Sequence, residues 1–119
     1  MKLDLAKISY DGRWFDFGES RLKIRPYPAS RTDVAFKDGA VLLSGDAGHD
    51  MFAYCLEAWE GVTGADDKPL KLTPAVKKQV YDFRLGKSLA ADGTEETIAD
   101  FVLRTARTLT AEIETDTKN

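Results

Sequence analysis

Along the first third of the chain, apolar and polar residues alternate with a period near two. Leu3-Asp4-Leu5-Ala6-Lys7-Ile8 and Leu22-Lys23-Ile24-Arg25 alternate apolar and polar residues in this way, and Trp14-Phe15-Asp16-Phe17 gives the returning strand between them, the pattern of half-buried strands. Asp11-Gly12 supplies residues that tolerate positive φ in a tight hairpin turn. Pro26 and Pro28 cannot donate to a ladder, so they end the third strand or mark a sheet edge. The reading is a three-stranded antiparallel meander. Between residues 30 and 48, Val34-Ala35-Phe36 and Val41-Leu42-Leu43 flank Lys37-Asp38-Gly39-Ala40 as in a hairpin, although a short helix fits the same residues.

After Asp46 the period changes. Phe52, Cys55, Leu56 and Trp59 recur at spacings of three and four, which predicts a helix from about Asp46 to Trp59 with Asp46 as its N-cap. The turn formers from Glu60 to Pro69 predict a loop. Thr73-Pro74 is a helix start, because Thr accepts from orphan amides and Pro has a preset φ. This helix is expected to reach about Leu85, with Val76, Val80 and Phe83 on its apolar face and Gly86 as its stop. Asp92-Gly93-Thr94-Glu95 is expected to open a last helix striped by Ile98, Phe101, Val102, Ala106, Leu109 and Ile113. Residues 115–119 have nothing to bury and read as a disordered tail. The fold class is therefore α+β: an N-terminal antiparallel β meander followed by a three-helix or larger helical part, in one domain over residues 1–114.

Composition narrows the function. A chain of 119 residues with 43% hydrophobic and 31% charged residues has the make-up of one ordinary globular domain. No stretch approaches the ~20 apolar residues that span a bilayer, and the N-terminus has no signal-peptide core, so a cytoplasmic protein is expected. Cys55 is the only cysteine, which suits a reducing compartment. The net charge of -3 is unevenly spread, with eight Lys/Arg against six Asp/Glu in residues 1–45 and nine against fourteen in residues 46–119. That balance argues against binding nucleic acid or anionic membrane, both of which need basic surface.

No catalytic constellation stands out. His49 and Cys55 are six residues apart, on opposite sides of a helix, and leave two positions of a tetrahedral metal site unfilled. Asp66 and Asp67 lack the alternating ligands of a calcium loop and read as a solvated turn. Gly61-Val62-Thr63-Gly64 lacks the Gly-Lys-Ser/Thr ending of a phosphate loop. Arg21, Lys23 and Arg25 with Tyr27 and Arg31 interleave charge with an aromatic as single-strand binders do, but an edge strand kept soluble by its cations explains them better. Trp14 reads as a cross-strand packing residue. Trp59, at a helix end before a Gly-bearing turn, either closes the core under the loop or presents its indole to a partner. No cofactor or metal is expected, and no enzymatic activity; an enzyme would need carboxylates that converge only in three dimensions.

The run Phe52-Ala53-Tyr54-Cys55-Leu56-Glu57-Ala58-Trp59-Glu60-Gly61-Val62, continued by Asp66-Asp67-Lys68-Pro69-Leu70-Lys71-Leu72-Thr73-Pro74, resembles the tail assembly chaperones of long-tailed bacteriophages and prophages. Those proteins show a helix ending in Trp-Glu/Asp-Gly-Val, an acidic Gly-bearing turn, a short Pro-apolar-polar-apolar stretch and a Thr/Ser-capped helix. Leu22-Lys23-Ile24-Arg25-Pro26 looks like the family's strand leading into an Arg-Pro break. Asp67-Lys68 departs from the usual Asp-Gly, and residues 46–49 have no counterpart. The resemblance covers most of residues 14–109. It implies a protein without catalysis that coats the tape measure protein, keeps it from aggregating and yields to tail tube subunits; in some phages a ribosomal frameshift also makes an extended form. Trp59, Val62, Leu70 and Tyr81 are the residues expected to meet that partner. The runner-up readings are another small phage component, such as a tail completion or neck protein, and a small enzyme. Whether the chain self-associates is left open by the sequence.

Overall fold

The computed structural model describes residues 10–28, 30, 36–37, 40–41, 45–89 and 92–117. The strand expected at Leu3–Ile8 lies outside these residues. Strands β1 (Arg13–Phe17) and β2 (Ser20–Ile24) form an antiparallel hairpin in the register Phe17↔Ser20 to Arg13↔Ile24. Its two-residue loop begins with Gly18 at φ 59°, the positive φ that a type II′ turn demands at its first position and that glycine adopts without strain. Phe36–Lys37 (β3) pairs with Ala40–Val41 (β4), a short ladder inside the expected hairpin; Val34, Ala35, Leu42 and Leu43 lie outside the described residues.

Helix α1 (Gly45–Cys55) ends four residues before the expected Trp59, and Leu56–Glu60 is instead strand β5. The helix begins at Gly45, so Asp46 sits in its first turn and not at the cap. β5 completes a sheet of order β1-β2-β5, which makes β2 the central strand and overturns the edge-strand reading. Its register jumps from Ile24↔Leu56 to Lys23↔Ala58, leaving Glu57 as the extra residue of a β-bulge. Since successive strand residues alternate faces, one extra residue restores Leu56 and Trp59 to the same face, opposite Ile24 and Leu22. A spacing of three thus serves a bulged strand as well as a helix.

The helix passes into the strand with no loop between, so its last carbonyls need donors from elsewhere. Lys77 Nζ donates to Ala53 O at 2.7 Å, Arg25 Nε to Tyr54 O at 2.7 Å, and the Arg25 backbone N–H to Cys55 O at 3.0 Å. Two cations at a helix C-terminus also oppose its negative dipole end. The Arg25 guanidinium further lies 3.7 Å above the Tyr54 ring centre and 3.8 Å from Glu57. Burial holds the Lys77 pKa below its ordinary value, and Arg25 repels it in the same direction, while Cys55 and Glu57 oppose the shift.

Helix α2 (Pro74–Phe83) starts as expected, with Thr73 Oγ1 accepting from Val76 N at 3.2 Å. It stops earlier than expected, because Arg84 takes the left-handed conformation at φ 50°. Gly86, also at positive φ (77°), follows in the connection. Lys87–Leu89 (β6) and Glu95–Thr97 (β7) then form a hairpin. Asp92–Glu95 therefore does not open the last helix. Asp92 Oδ1 accepts from Thr94 N at 3.0 Å within the turn, and Thr97 Oγ1 caps α3 (Ile98–Thr117) by accepting from Asp100 N at 3.2 Å. Helical backbone continues to Thr117, into the segment read as a tail. The fold is α+β, an N-terminal antiparallel β-structure followed by three helices.

One face of the sheet packs on the helices. Leu22, Ile24, Phe52, Cys55, Leu56 and Val102 are fully buried there, and the Phe17 and Phe101 rings meet edge to face at 5.1 Å. Tyr27 is buried as well; its hydroxyl donates to Asp50 Oδ2 at 2.5 Å, and its backbone N–H donates to Thr110 Oγ1 at 3.1 Å. α1 meets α2 where buried Gly48 lies against Tyr81, whose ring also faces His49 and Phe52 at 5.6 and 5.7 Å.

Two stability measurements test this packing. Arg25→Met is expected to lower the unfolding free energy by about 1.5–3 kcal/mol in urea titration, the range for a hydrogen bond to a charged group; a loss within error would show the helix end to be satisfied without it. A methyl on Gly48 collides with the Tyr81 hydroxyl, so Gly48→Ala is expected to destabilise by about 1–3 kcal/mol, although Ala in a helix interior gains about 1 kcal/mol over Gly. Tyr81→Phe in the same chain is expected to recover most of that loss. An equal penalty with and without the hydroxyl would reject the steric explanation.

Candidate protein-binding surface

Three large apolar side chains stand in solvent along the connection from α2 to β6: Phe83 is 74% exposed, Leu85 48% and Leu89 69%. The left-handed Arg84 turns the chain before Phe83 and Leu85 could be drawn onto the core. Phe83 was expected on the buried face of α2, a reading the structure corrects: Val76 and Val80 face inward while Phe83 faces out. Beside this shoulder lies an open cleft of about 370 Å³, lined among others by Gly18, Ser20, Gly61, Val62, Lys87 and Ile98. A second cleft of about 240 Å³ lies between Asp16, Phe17, Leu89, Glu96, Phe101 and Arg104. Phe17, Gly18 and Ser88 line both clefts, so the β1–β2 turn stands between them.

The far wall of the larger cleft is the segment after β5. Gly61, at φ 75°, packs against the backbone of Glu19 and Ser20, and Ser20 Oγ donates to Gly61 O at 2.9 Å. Residues 62–70 fold back as a hairpin: Leu70 N donates to Val62 O at 2.9 Å, Gly64 N to Lys68 O and Asp67 N to Gly64 O at 3.0 Å. Asp66 and Asp67 form its tip, where Asp66 Oδ1 accepts from Lys68 N at 3.1 Å and Asp67 has φ 61°. The Trp59 indole N–H donates to Leu70 O at 2.7 Å while its ring packs against the core.

Of the four residues read from the sequence as partner-binding, Trp59, Val62 and Leu70 are thus joined by this hairpin. Tyr81 is not part of the group, since its ring is half-buried in the α1–α2 contact under the Arg84 guanidinium. Sequence reasoning missed Phe83, Leu85 and Leu89. A signal was present for Leu89, which follows the expected stop at Gly86 and belongs to no apolar period; Leu85 was read as the last residue of the helix, which the structure ends at Phe83.

The charged groups are mostly matched. On the sheet's solvent face, Arg21 pairs with Asp16 and Glu60, Lys23 with Glu57, and the Arg21 guanidinium lies 5.1 Å over Trp14. With Arg25 turned to the end of α1, the basic strand presents no row of unmatched cations; Arg31 lies outside the described residues. At the smaller cleft, Arg104 donates to both Glu96 oxygens at 2.8 and 2.9 Å. That pair holds the Glu96 carboxyl below its ordinary value of 4.5 and raises the Arg104 guanidinium. Among the described residues no three His, Cys, Asp or Glu side chains cluster as a metal site would need. Cys55 is buried, and His49 lies against Tyr81 with Nε2 buried and without a hydrogen-bond partner. No helix among the described residues is long and apolar enough to cross a membrane.

No family model, curated protein or solved structure matches the chain.

The Glu96–Arg104 pair ties β7 to α3 and gives a pH test. A carboxyl whose folded pKa is depressed adds stability that is fully present above its unfolded value and is lost as pH falls through the folded value. The stability difference between the natural chain and Glu96→Gln is therefore expected to shrink as pH is lowered from about 6 to about 3. Urea midpoints measured across that window would show it. A difference that does not change with pH would mean that the pair adds nothing to folding.

Proposed function

We propose that this protein is a binding module without catalysis, a tail assembly chaperone that holds apolar surface of the tape measure protein in soluble form in the bacterial cytoplasm. The observation that carries the binding role is the exposure of Phe83, Leu85 and Leu89 within seven residues, in a segment whose Gly86, Lys87 and Ser88 line the larger cleft and whose Leu89 lines the smaller one. Large apolar groups gathered on a surface mark interaction sites, whereas single exposed ones are ordinary. A frame of hydrogen-bonded backbone holds them in place, so little is lost in ordering them when a partner binds. The resemblance of residues 52–74 to tail assembly chaperones supplies the partner. Helical segments with an apolar stripe suit clefts of this kind.

Co-expression with the neighbouring tape measure protein tests the proposal. The soluble fraction of that protein is expected to rise when this chain is present and to fall back with the double variant Leu85→Asp, Leu89→Asp. Removing two leucines of about 1.5–3 kcal/mol each weakens binding by about a hundredfold or more. Affinity is expected to vary little with salt, since apolar burial is not screened. Equal soluble fractions with and without the chain would reject the proposal. Rescue that survives the double variant would reject only this surface. Tyr81→Asp is a poor probe of binding because it also breaks the α1–α2 contact.

A further inference from the structure

We infer that residues 62–70 are a hinged flap that forms one wall of the larger cleft, latched by the hydrogen bond from the Trp59 indole to Leu70 O. The inference rests on the reading that this cleft receives an apolar partner, and it adds how access is controlled. The segment is rigid within itself, since three backbone hydrogen bonds and the Thr63–Pro69 bridge hold its two arms together. Its hold on the body is slight by contrast. From residue 61 to residue 71 only Val62 and Gly64 are partly covered, and every other residue is exposed. Each end is pinned by one solvent-exposed hydrogen bond: Ser20 Oγ to Gly61 O at 2.9 Å, and Trp59 Nε1 to Leu70 O at 2.7 Å.

Beyond the pins the chain is firmly held. β5 is laddered to β2 on one side, and on the other Leu72 packs on the core and Thr73 caps α2. Motion therefore concentrates at Gly61, which can leave the Glu19–Ser20 backbone it packs against only when the Ser20 pin is released, and at exposed Lys71. A unit with strong internal bonds and weak external ones opens as a whole. Because Val62 and Thr63 line the cleft, lifting the flap removes one wall and frees the indole edge of Trp59. In the closed state the latch satisfies the indole N–H and keeps the edge of the Trp59 ring partly covered when no partner is present.

Hydrogen exchange followed by NMR on the full chain tests the flap without a partner, with Trp14→Phe used to assign the indole signal. The amides of Gly64, Asp67 and Leu70 are expected to show equal protection, and the Trp59 indole N–H less. Ser20→Ala removes the pin at the opposite end. It is expected to lower protection of the Trp59 indole about fivefold, the population change that loss of one neutral hydrogen bond produces, while the three amides keep theirs. Trp59→Phe, which keeps a ring but removes the latch, is likewise expected to leave those amides protected. Both variants are expected to bind more of the apolar dye 1-anilinonaphthalene-8-sulfonate at unchanged far-ultraviolet circular dichroism. If Ser20→Ala leaves the indole unchanged, the two ends move independently and the flap is overturned. If indole and amides lose protection together, the segment unfolds and does not lift. If the indole loses protection without a gain in dye binding, the flap covers nothing. None of these outcomes bears on the co-expression result, so the flap and the chaperone reading stand or fall separately.

Discussion

The fold depends on how the end of α1 is satisfied at Cys55. A helix that stops with several carbonyls turned toward protein leaves polar groups that must be paired or else destabilise the structure. Here Lys77 from α2 and Arg25 from the end of β2 supply the donors. The same contacts draw α2 and the end of β2 to the junction, so the capping also sets where the helices lie relative to the sheet. Lys77 bears part of the desolvation cost, as its lowered pKa shows, and Glu57 offsets it. Glu57 can do so because it is the bulged residue of β5, free of strict alternation and facing Lys23 and Arg25.

Once β5 is laid against β2, the shape of the clefts follows. The bulge returns Trp59 to the core-facing side, where its ring packs and its indole reaches Leu70. Gly61 then turns the chain across the β1–β2 loop, an approach too close for a side chain, since a Cβ there would stand 3.1 Å from Glu19 O. The hairpin that follows forms one wall of the cleft, and the connection from α2 to β6 forms another. Local backbone devices, the left-handed Arg84 and the positive φ of Gly86, keep Phe83 and Leu85 out of the core.

Charge is arranged to be quiet. The cations of β1 and β2 each face a carboxylate or stack on a ring, and exposed pairs of this kind contribute little to stability. Among the described residues of β1 and β2, the pairing leaves no row of unmatched cations of the kind that draws nucleic acid or anionic membrane.

Local periodicity and turn chemistry are enough to specify the β1–β2 hairpin, the Thr73-Pro74 start of α2, the apolar stripe of α3 and the α+β class. The location of β5, the hairpin at residues 87–97 and the exposed shoulder at residues 83–89 were decided only in the tertiary structure. For β5 the reason is geometric. Leu56 and Trp59 are three residues apart, which fits one face of a helix, and a bulge gives a strand the same property; only the open edge of β2 and the donors at the helix end select the strand. For β6 and β7 the segments are three residues each, too short for alternation to show, and their pairing supplies the stability. Phe83 follows the helical apolar pattern, but whether such a residue is buried depends on what lies opposite it, and at the end of α2 the chain turns away before anything does.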